Sequence, residues 1–351
     1  MAKRNAVPLR YLPTIFLALA KWSARCKTKS TSISKFKEPP LPGVVLCLVF
    51  LEYNAFMDFL GKTGSGEARP GDTVRIVLDI ADEAAKLIMR YYRHDFKVEY
   101  KGGDKFNPVT EADRGADDLI RRRLAENFPG DSILSEENDD VPQDYRGRVW
   151  IVDPLDGTKD FENGCDGFAV QIALAENGRL LLGVVNVPAR RKVFFAARNS
   201  GAFMFRAGKP QRIHTSDLDK LPEAIMIMRK LGGEARPLDR AAEGLPAAAR
   251  IRDSSVGIRL CRIASGEAQT HVNTNFRVSK WDTAAPQLIL EEAGGVVTDI
   301  DGNALNYAQS GLLWSRSFAA SCNAAIHRQV IEFLSKAAPN KLEMGITDGR
   351  N

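Results

Sequence analysis

The stretch WIVDPLDGTKDF, residues 150–161, constrains the fold more than any other part of the sequence. It begins as an apolar β-type run, places Asp153 and Asp156 on either side of a Pro-Leu pair, and continues at once with Gly157. Proline stiffens the backbone and glycine permits a sharp turn, so the stretch predicts a strand that ends abruptly in two carboxylates. A single acid at a strand end is usually a turn residue, but this spacing, with the Leu155 carbonyl between the acids, favours a cation site.

Acidic residues lie in three further segments at predicted strand ends and loops. They are Asp113 in VTEAD, Glu136 and Glu137 in SEEN, and Asp282 in KWDTAA. Hard oxygen ligands of this kind suit Mg²⁺. With four histidines and five scattered cysteines that form no C-x-x-C pair, the chain gives poor support for a histidine or thiolate metal site and none for a disulfide framework.

The net charge of +5 does not indicate a nucleic-acid-binding protein. Nine of the 49 Lys/Arg residues lie in residues 1–37, which hold no Asp/Glu, so the remaining 40 face 44 acidic residues. The body of the chain is therefore mildly acidic and has no electrostatic preference for a polyanion such as a nucleic acid polymer.

Residues 1–70 differ from the rest of the chain and are interpreted as an N-terminal extension. They are basic, contain TKSTSIS, and hold two apolar runs that are each shorter than the roughly 20 residues needed to span a bilayer. Two alternatives stay open: a targeting segment, or a dispensable extension with Met57 as the start. The default localisation is cytoplasmic, and it becomes organellar if the extension is a transit peptide.

From Asp72 onward the pattern is regular. Apolar residues at helical spacing predict a helix to about Tyr92, and Thr110 is expected to cap a second one. The segments SILSEE, RVWIVDPLDG and the run from Ala169 to about Arg198 predict strands, with turns at residues 176–178 and 188–191. Helices and strands then alternate to a C-terminal helix. We therefore expect an α+β metal-binding half over residues 71–208 and an α/β half over residues 209–340.

Three motifs carry a resemblance to a known family. ILSEE, WIVDPLDGTKDF and WDTAAPQLILEEAGG, in this order and spacing, resemble the signatures of the inositol monophosphatase superfamily of Mg²⁺-dependent, lithium-sensitive phosphatases. The likeness spans about residues 72–338. It implies a layered αβαβα sandwich, a small-molecule phosphate ester as substrate, and two or three Mg²⁺ ions per site. Neither a membrane partner nor a nucleic acid is implied, and a homodimer stays open.

The resemblance also implies roles for individual residues. Glu136, Asp153 and the Leu155 carbonyl would hold one Mg²⁺, and Asp153, Asp156 and Asp282 a second that faces the ester. Glu137 would support the site structurally without binding a cation directly. Two metals a few ångströms apart can activate a water and stabilise the leaving oxygen.

Asp113 and Thr158 would orient the attacking water, with Glu136 among the catalytic groups. The backbone N–H groups of Gly157 and Thr158, at a predicted helix start, would receive phosphate oxygens. Asp282 would also contact the substrate.

Within the superfamily the chain looks most like the 3'(2'),5'-bisphosphate nucleotidases of sulfur metabolism. DPLDGTK followed by an acid and an aromatic, together with KWDTAAP, carries this likeness, which implies removal of the 3'-phosphate of adenosine 3',5'-bisphosphate. Arg259 falls where these enzymes hold the retained 5'-phosphate, although it is equally explained as a helix-face arginine. NTNFRVS replaces the PRFGPT of bacterial nucleotidases, and Lys101 and Lys105 are both candidates for the lysine of the active-site loop.

Other functions stay open from the sequence. The sister substrates are inositol monophosphate, histidinol phosphate and fructose bisphosphate. A non-enzymatic phosphate-binding or membrane-associated module is a further alternative. The letters CNAAIHR, from Cys322 to Arg328, match the C-x5-R pattern of cysteine phosphatases, but they lack glycines, and Asn323 is expected to cap the last helix.

Overall fold

The computed structural model describes most of the chain after residue 69. The described ranges are residues 70–94, 98–100, 108–138, 142, 145–206, 208–230, 237–274, 278–309, 311–314 and 317–337. They lie in one compact unit. The N-terminal extension and the two candidate loop lysines, Lys101 and Lys105, lie outside these ranges.

Two long helices open the described part of the chain. Helix α1 spans Pro70–Tyr91, and after a two-stranded hairpin (β1, Val98–Tyr100; β2, Pro108–Thr110) helix α2 spans Glu111–Asn127. The apolar face of α1 is buried. Thr110 caps α2 as predicted, because its hydroxyl accepts from the N–H groups of Ala112 and Asp113.

A seven-stranded sheet is formed by strands between Ser132 and Ile213. Its strands are β3 (Ser132–Ser135), β4 (Arg148–Asp156), β5 (Ala169–Glu176), β6 (Arg179–Val187), β7 (Lys192–Ala197), β8 (Gly201–Arg206) and β9 (Lys209–Ile213). They lie side by side in chain order, and only the β3–β4 pair is parallel. A five-residue helix, α3 (Thr158–Glu162), separates β4 from β5. The predicted meander is confirmed.

A second, five-stranded sheet follows along the chain, between Ile225 and Ser321. Its strands are β10 (Ile225–Arg229), β11 (Ala249–Asp253), β12 (Thr270–Asn273), β13 (Val296–Asp299) and β14 (Phe318–Ser321), in the order β11-β10-β12-β14-β13. The helices are α4 (Pro237–Glu243), α5 (Val256–Ala264), α6 (Lys280–Glu292) and α7 (Ala324–Ala337). β10, β11 and β12 are parallel, so their carboxyl ends lie at one edge of the sheet.

The elements stack in five layers. Helices α1 and α2 cover one face of the seven-stranded sheet and bury a first core. Helices α5 and α6 lie between the two sheets in a second core, and α7 covers the outer face of the smaller sheet. The predicted αβαβα sandwich is confirmed. Glycine permits the close approach of α6, since a Cβ on Gly183 would lie 2.6 Å from the Ala285 carbonyl oxygen.

The described residues also bear on two sequence-based alternatives. Cys322 is buried and burial raises the pKa of its thiol to about 11, which is the opposite of a nucleophilic thiolate. Asn323 caps the last helix by accepting from the Ile326 N–H at 3.0 Å. Among the helices described, none combines the length and apolar character needed to cross a bilayer.

Candidate metal centre

Two carboxylates, those of Asp153 and Asp156, lie close together at the end of β4. The pairing of β4 with β5 is regular as far as Asp153 and shifts register before Asp156, so the chain departs from the ladder between the two acids. Gly157 then turns the chain with φ 92° and precedes α3. A side chain here would collide with the backbone, since a Cβ would lie 2.5 Å from the Gly167 carbonyl oxygen. Glycine is therefore required at this turn.

Asp113 reaches the same point from the first turn of α2. It is the third residue after the capping Thr110, and its Oδ2 accepts from the Thr110 N–H at 2.8 Å and from the Thr110 hydroxyl. The Thr158 hydroxyl lies 3.2 Å from Asp113 Oδ1 and 3.1 Å from the Leu155 carbonyl oxygen. Two candidate residues for orienting water, Asp113 and Thr158, are thus in contact.

Asp282 has an equivalent position in α6. It is the third residue after Ser279, whose N–H donates to Asp282 Oδ2 at 2.6 Å. A helix start binds an acid at this position because its first N–H groups have no partner within the helix. Both Asp113 and Asp282 are therefore held in orientation by the starts of their own helices.

Asp153, Asp156 and Asp282 form a cluster that could bind a metal. Each offers a carboxylate oxygen, and the three atoms all lie within 4.8 Å of one another. Burial raises the pKa of Asp153 and Asp282 well above the usual range, and the charge of Glu136 raises both further. Acids gathered in this way need a cation to stay ionised together.

The donor set fits a divalent cation of the Mg²⁺ type. Asp153 Oδ2 is buried and has no hydrogen-bond partner among the described residues, an arrangement that is costly for a carboxylate unless a cation binds it. The surrounding donors are carboxylate and carbonyl oxygens, which Mg²⁺ prefers. Such an ion would also lower the pKa values of the acids that bind it.

The two acids of SEEN lie next to this cluster. Glu136 follows β3 and donates its N–H to the Val152 carbonyl, beside β4. Its charge reaches Asp153 and Asp282, whereas the charge of Glu137 reaches Asp113. Burial raises the pKa of Asp113 to about 7, and the charge of Glu137 adds to this effect while the bonds from Thr110 and Thr158 oppose it.

Arg259 is a candidate residue that is buried at the start of α5. It is 2% exposed, and its Nη1 donates to the carbonyl oxygens of Asp253 at 2.9 Å and Ser254 at 2.7 Å. Burial lowers the pKa of its guanidinium to about 10, although the nearby charge of Asp156 opposes this effect. Its assigned contact with a substrate phosphate stays a prediction.

Three donors on Asp156 were not anticipated from the sequence. Asp156 Oδ2 accepts from Gln171 Nε2 at 2.6 Å, from the Ser255 hydroxyl at 2.5 Å and from the Gly257 N–H at 3.0 Å. A signal for Gln171 was present, because it is a lone amide within the apolar run FAVQIALA. Ser255 and Gly257 gave no local signal.

A second unanticipated set of contacts lies beside α3. Asp160 accepts from Lys230 at 2.7 Å and from the Ser254 hydroxyl at 2.8 Å. The Lys230 side chain is 49% exposed at the carboxyl end of β10. In an open α/β sheet, ligands bind at the carboxyl ends of parallel strands, so this rim is where the organic part of a ligand would lie.

A second cation, Arg190, completes the rim. Its guanidinium binds Asp253 at 2.7 Å and Asp166 at 3.1 Å. Both rim cations are thus paired with acids and partly exposed.

Comparisons with known proteins agree with this architecture. The inositol monophosphatase family profile matches residues 72–336. A histidinol-phosphatase of Mycobacterium tuberculosis is 34% identical over 268 residues, covering 75% of this chain and 98% of that protein. The 3'(2'),5'-bisphosphate nucleotidase CysQ of Salmonella typhimurium is 34% identical over 236 residues, covering 66% of this chain and 92% of that protein. Among solved structures, the Thermotoga maritima IMPase is similar at a TM-score of 0.66 and 30% identity, covering 78% of this chain and all of that one.

Proposed function

The chain belongs to the inositol monophosphatase family of phosphatases, and we propose that it hydrolyses a phosphate monoester with Mg²⁺ held at the carboxylate cluster. The buried trio of Asp153, Asp156 and Asp282, with the unpartnered oxygen of Asp153, is the observation that carries the proposal. Glu136 and the Leu155 carbonyl complete the ligand set. The three motifs predicted this family, and that prediction is confirmed.

The reaction divides between the cation and the chain's own groups. Bound divalent cations supply Lewis acidity toward the ester and make a water more acidic. Thr158 donates to Asp113, which leaves the hydroxyl oxygen of Thr158 able to accept from a water. Asp113, with a pKa of about 7 before any cation binds, would accept a proton from that water as the water oxygen bonds to phosphorus. The ester P–O bond would break in the same displacement, and the leaving oxygen would take a proton from solvent.

The phosphate itself would lie at the turn after β4. Gly157 has no side chain and precedes α3, so the backbone N–H groups of Gly157 and Thr158 would receive the phosphate oxygens. Asp282 would contact the substrate from the opposite side, through α6.

We assign adenosine 3',5'-bisphosphate as the substrate. Its second phosphate needs cations beside the reacting one, and Lys230 is a half-exposed cation linked through Asp160 to the helix that begins at Thr158. The buried guanidinium of Arg259 would add positive charge that favours the second phosphate. The likeness to the Salmonella typhimurium CysQ, together with the motifs DPLDGTKDF and KWDTAAP, supports the same choice.

Histidinol phosphate is the second candidate. The Mycobacterium tuberculosis histidinol-phosphatase is 34% identical to this chain and almost fully covered by it. Histidinol phosphate carries an ammonium group, and the 58%-exposed side chain of Asp166 offers a carboxylate on the rim.

A panel of esters tests the proposal. The kcat/KM of the purified protein is measured on adenosine 3',5'-bisphosphate, histidinol phosphate, inositol 1-phosphate and fructose 1,6-bisphosphate, with Mg²⁺ and with EDTA. We expect Mg²⁺-dependent turnover, highest on the bisphosphate nucleotide. A higher value on histidinol phosphate would reassign the substrate, and turnover that persists in EDTA would contradict the metal-dependent reaction.

A further inference from the structure

Within the described part of the chain, the donors that hold the carboxylate of Asp156 all lie on one side of it. All three of its protein donors, from Gln171, Ser255 and Gly257, bind the same oxygen, Oδ2. Because the two oxygens of a carboxylate are fixed relative to each other, three donors on Oδ2 also determine where Oδ1 points. Oδ1 is then the oxygen presented to a cation.

The Ser255 hydroxyl has its proton committed to Asp156. Ser255 is the capping residue of α5, and its Oγ accepts from the Ile258 N–H at 3.0 Å. A hydroxyl has one proton to donate, so Oγ, while accepting from the helix, gives that proton to Asp156 Oδ2. The Gly257 N–H, in the first turn of α5, donates to the same oxygen.

Gln171 is a buried amide that only this contact explains. It is fully buried in β5 between Val170 and Ile172, and no residue that the structure describes pairs with its Oε1. Burying an amide is unfavourable unless its groups are paired, and a bond from Nε2 to a carboxylate is a strong one. Its position is fixed by packing, since a Cβ on Gly257 would lie 2.8 Å from the amide.

The three donors come from two different elements, strand β5 and the start of helix α5. Gln171 lies on β5, next to the strand that carries Asp156, whereas Ser255 and Gly257 lie at the start of α5, in the layer between the two sheets. Asp156 is therefore oriented only when the start of α5 is packed against the seven-stranded sheet.

We propose that Gln171 and Ser255 are positioning residues that aim Asp156 Oδ1 at the cation, so that they set Mg²⁺ affinity without touching the substrate. This proposal rests on the proposed function. Loss of a residue that orients a metal ligand typically lowers metal affinity or activity by about 10–100-fold.

The test compares Gln171→Met with Gln269→Met. Gln269 is a second buried glutamine, which accepts from the Ile225 N–H at 2.8 Å away from the cluster, so it controls for the loss of a buried amide. Mg²⁺ affinity is measured by isothermal titration calorimetry and by the Mg²⁺-induced rise in Tm. We expect about 10–100-fold weaker binding for Gln171→Met, wild-type affinity for Gln269→Met, and an unchanged KM for the ester at saturating Mg²⁺.

A second pair of variants covers the case in which Gln171→Met fails to fold. Ser255→Ala removes the hydroxyl, whereas Ser255→Thr retains it together with the cap, so affinity should fall in the first and return in the second. Folded variants of Gln171 and Ser255 that bind Mg²⁺ as the wild type does would overturn this proposal and leave the phosphatase assignment intact. A wild-type protein that hydrolyses esters but binds no Mg²⁺ would overturn both.

Discussion

At the scale of single residues, three acids of the site are oriented in the same way, by hydrogen bonds to one carboxylate oxygen. Asp113, Asp156 and Asp282 each have Oδ2 bound by donors of the protein. For Asp113 and Asp282 those donors belong to the start of the helix that carries the acid. One oxygen thus fixes the rotamer, and the other oxygen faces the site, where that of Asp113 accepts from the Thr158 hydroxyl. This arrangement removes most of the conformational freedom that a metal or a water would otherwise have to restrict.

Burial also determines how one histidine outside the site titrates. His327, in α7, lies between the hydroxyls of Ser321, 3.1 Å from Nδ1, and Thr298, 2.8 Å from Nε2. Burial lowers the pKa of the ring from 6.5 to about 4. Hydroxyls can donate or accept, so a neutral ring is satisfied at both nitrogens.

We predict that this residue makes the fold less stable in acid. Between pH 6.5 and pH 4 the unfolded chain binds a proton at His327 and the folded chain does not, so the free energy of unfolding falls as pH falls through this window. At pH 5 the loss relative to pH 7.5 is about 2 kcal/mol. The free energy of unfolding is measured with urea, in EDTA, at pH 7.5 and pH 5. Its decrease between the two pH values should be about 2 kcal/mol smaller for His327→Gln than for the wild type. Equal pH dependence of the two proteins would contradict the account.

At the scale of elements, the packing of α6 determines where Asp282 lies. The helix crosses the seven-stranded sheet at Gly183, where there is no room for a side chain beneath Ala285. Its first turn carries Asp282, so a shift of the helix axis moves that carboxylate relative to Asp153 and Asp156. The distance between the sheet and α6 is therefore part of the geometry of the site.

We predict that Gly183→Ala weakens metal binding as well as the fold. The new Cβ would lie 2.6 Å from the Ala285 carbonyl oxygen and 3.0 Å from its Cα, so backbone must move. We expect a loss of about 1–3 kcal/mol in the free energy of unfolding, together with weaker Mg²⁺ binding. Gly244→Ala, whose Cβ would meet its nearest atom at 3.4 Å, is the control. Wild-type Mg²⁺ affinity in Gly183→Ala would show that Asp282 does not depend on this contact.

At the scale of the whole molecule, the site draws on the outer helices, the seven-stranded sheet and the helices between the two sheets. Asp113 comes from the outer helix layer, Asp153 and Asp156 from the large sheet, and Asp282 from the middle layer. The trio of Asp153, Asp156 and Asp282 comes together only when α6 is packed against the seven-stranded sheet. Metal binding should therefore stabilise the assembled fold, since a ligand that binds only the folded state stabilises it by mass action.

We predict that residues 1–56 can be removed without loss of activity. All described residues of the cluster lie beyond residue 110, and the family profile begins at residue 72. A protein starting at Met57 should match the full chain in kcat/KM and in Tm. Insoluble or inactive protein after this truncation would show that the extension contributes to the fold.

Local patterns made much of this architecture predictable from the sequence. Strand and helix periods, the Thr110 cap and the turn at Gly157 are all encoded within a few residues. The bonds to Asp156 are not: Gln171 lies 15 residues away in the sequence and Ser255 lies 99 residues away. Such contacts depend on how the halves pack, so no local pattern reveals them.

The most direct test of the central claim is the turnover of Asp156→Asn as a function of Mg²⁺ concentration, on the ester that the wild type hydrolyses best. Asparagine keeps the shape but removes the charge that would balance the cation. We expect a weaker response to Mg²⁺ and a fall in kcat of at least about 100-fold, as for loss of one key electrostatic group. A surface turn residue would tolerate the change within about 0.5 kcal/mol of stability. Near-normal turnover with an unchanged Mg²⁺ requirement would remove Asp156 from the metal site and contradict the account.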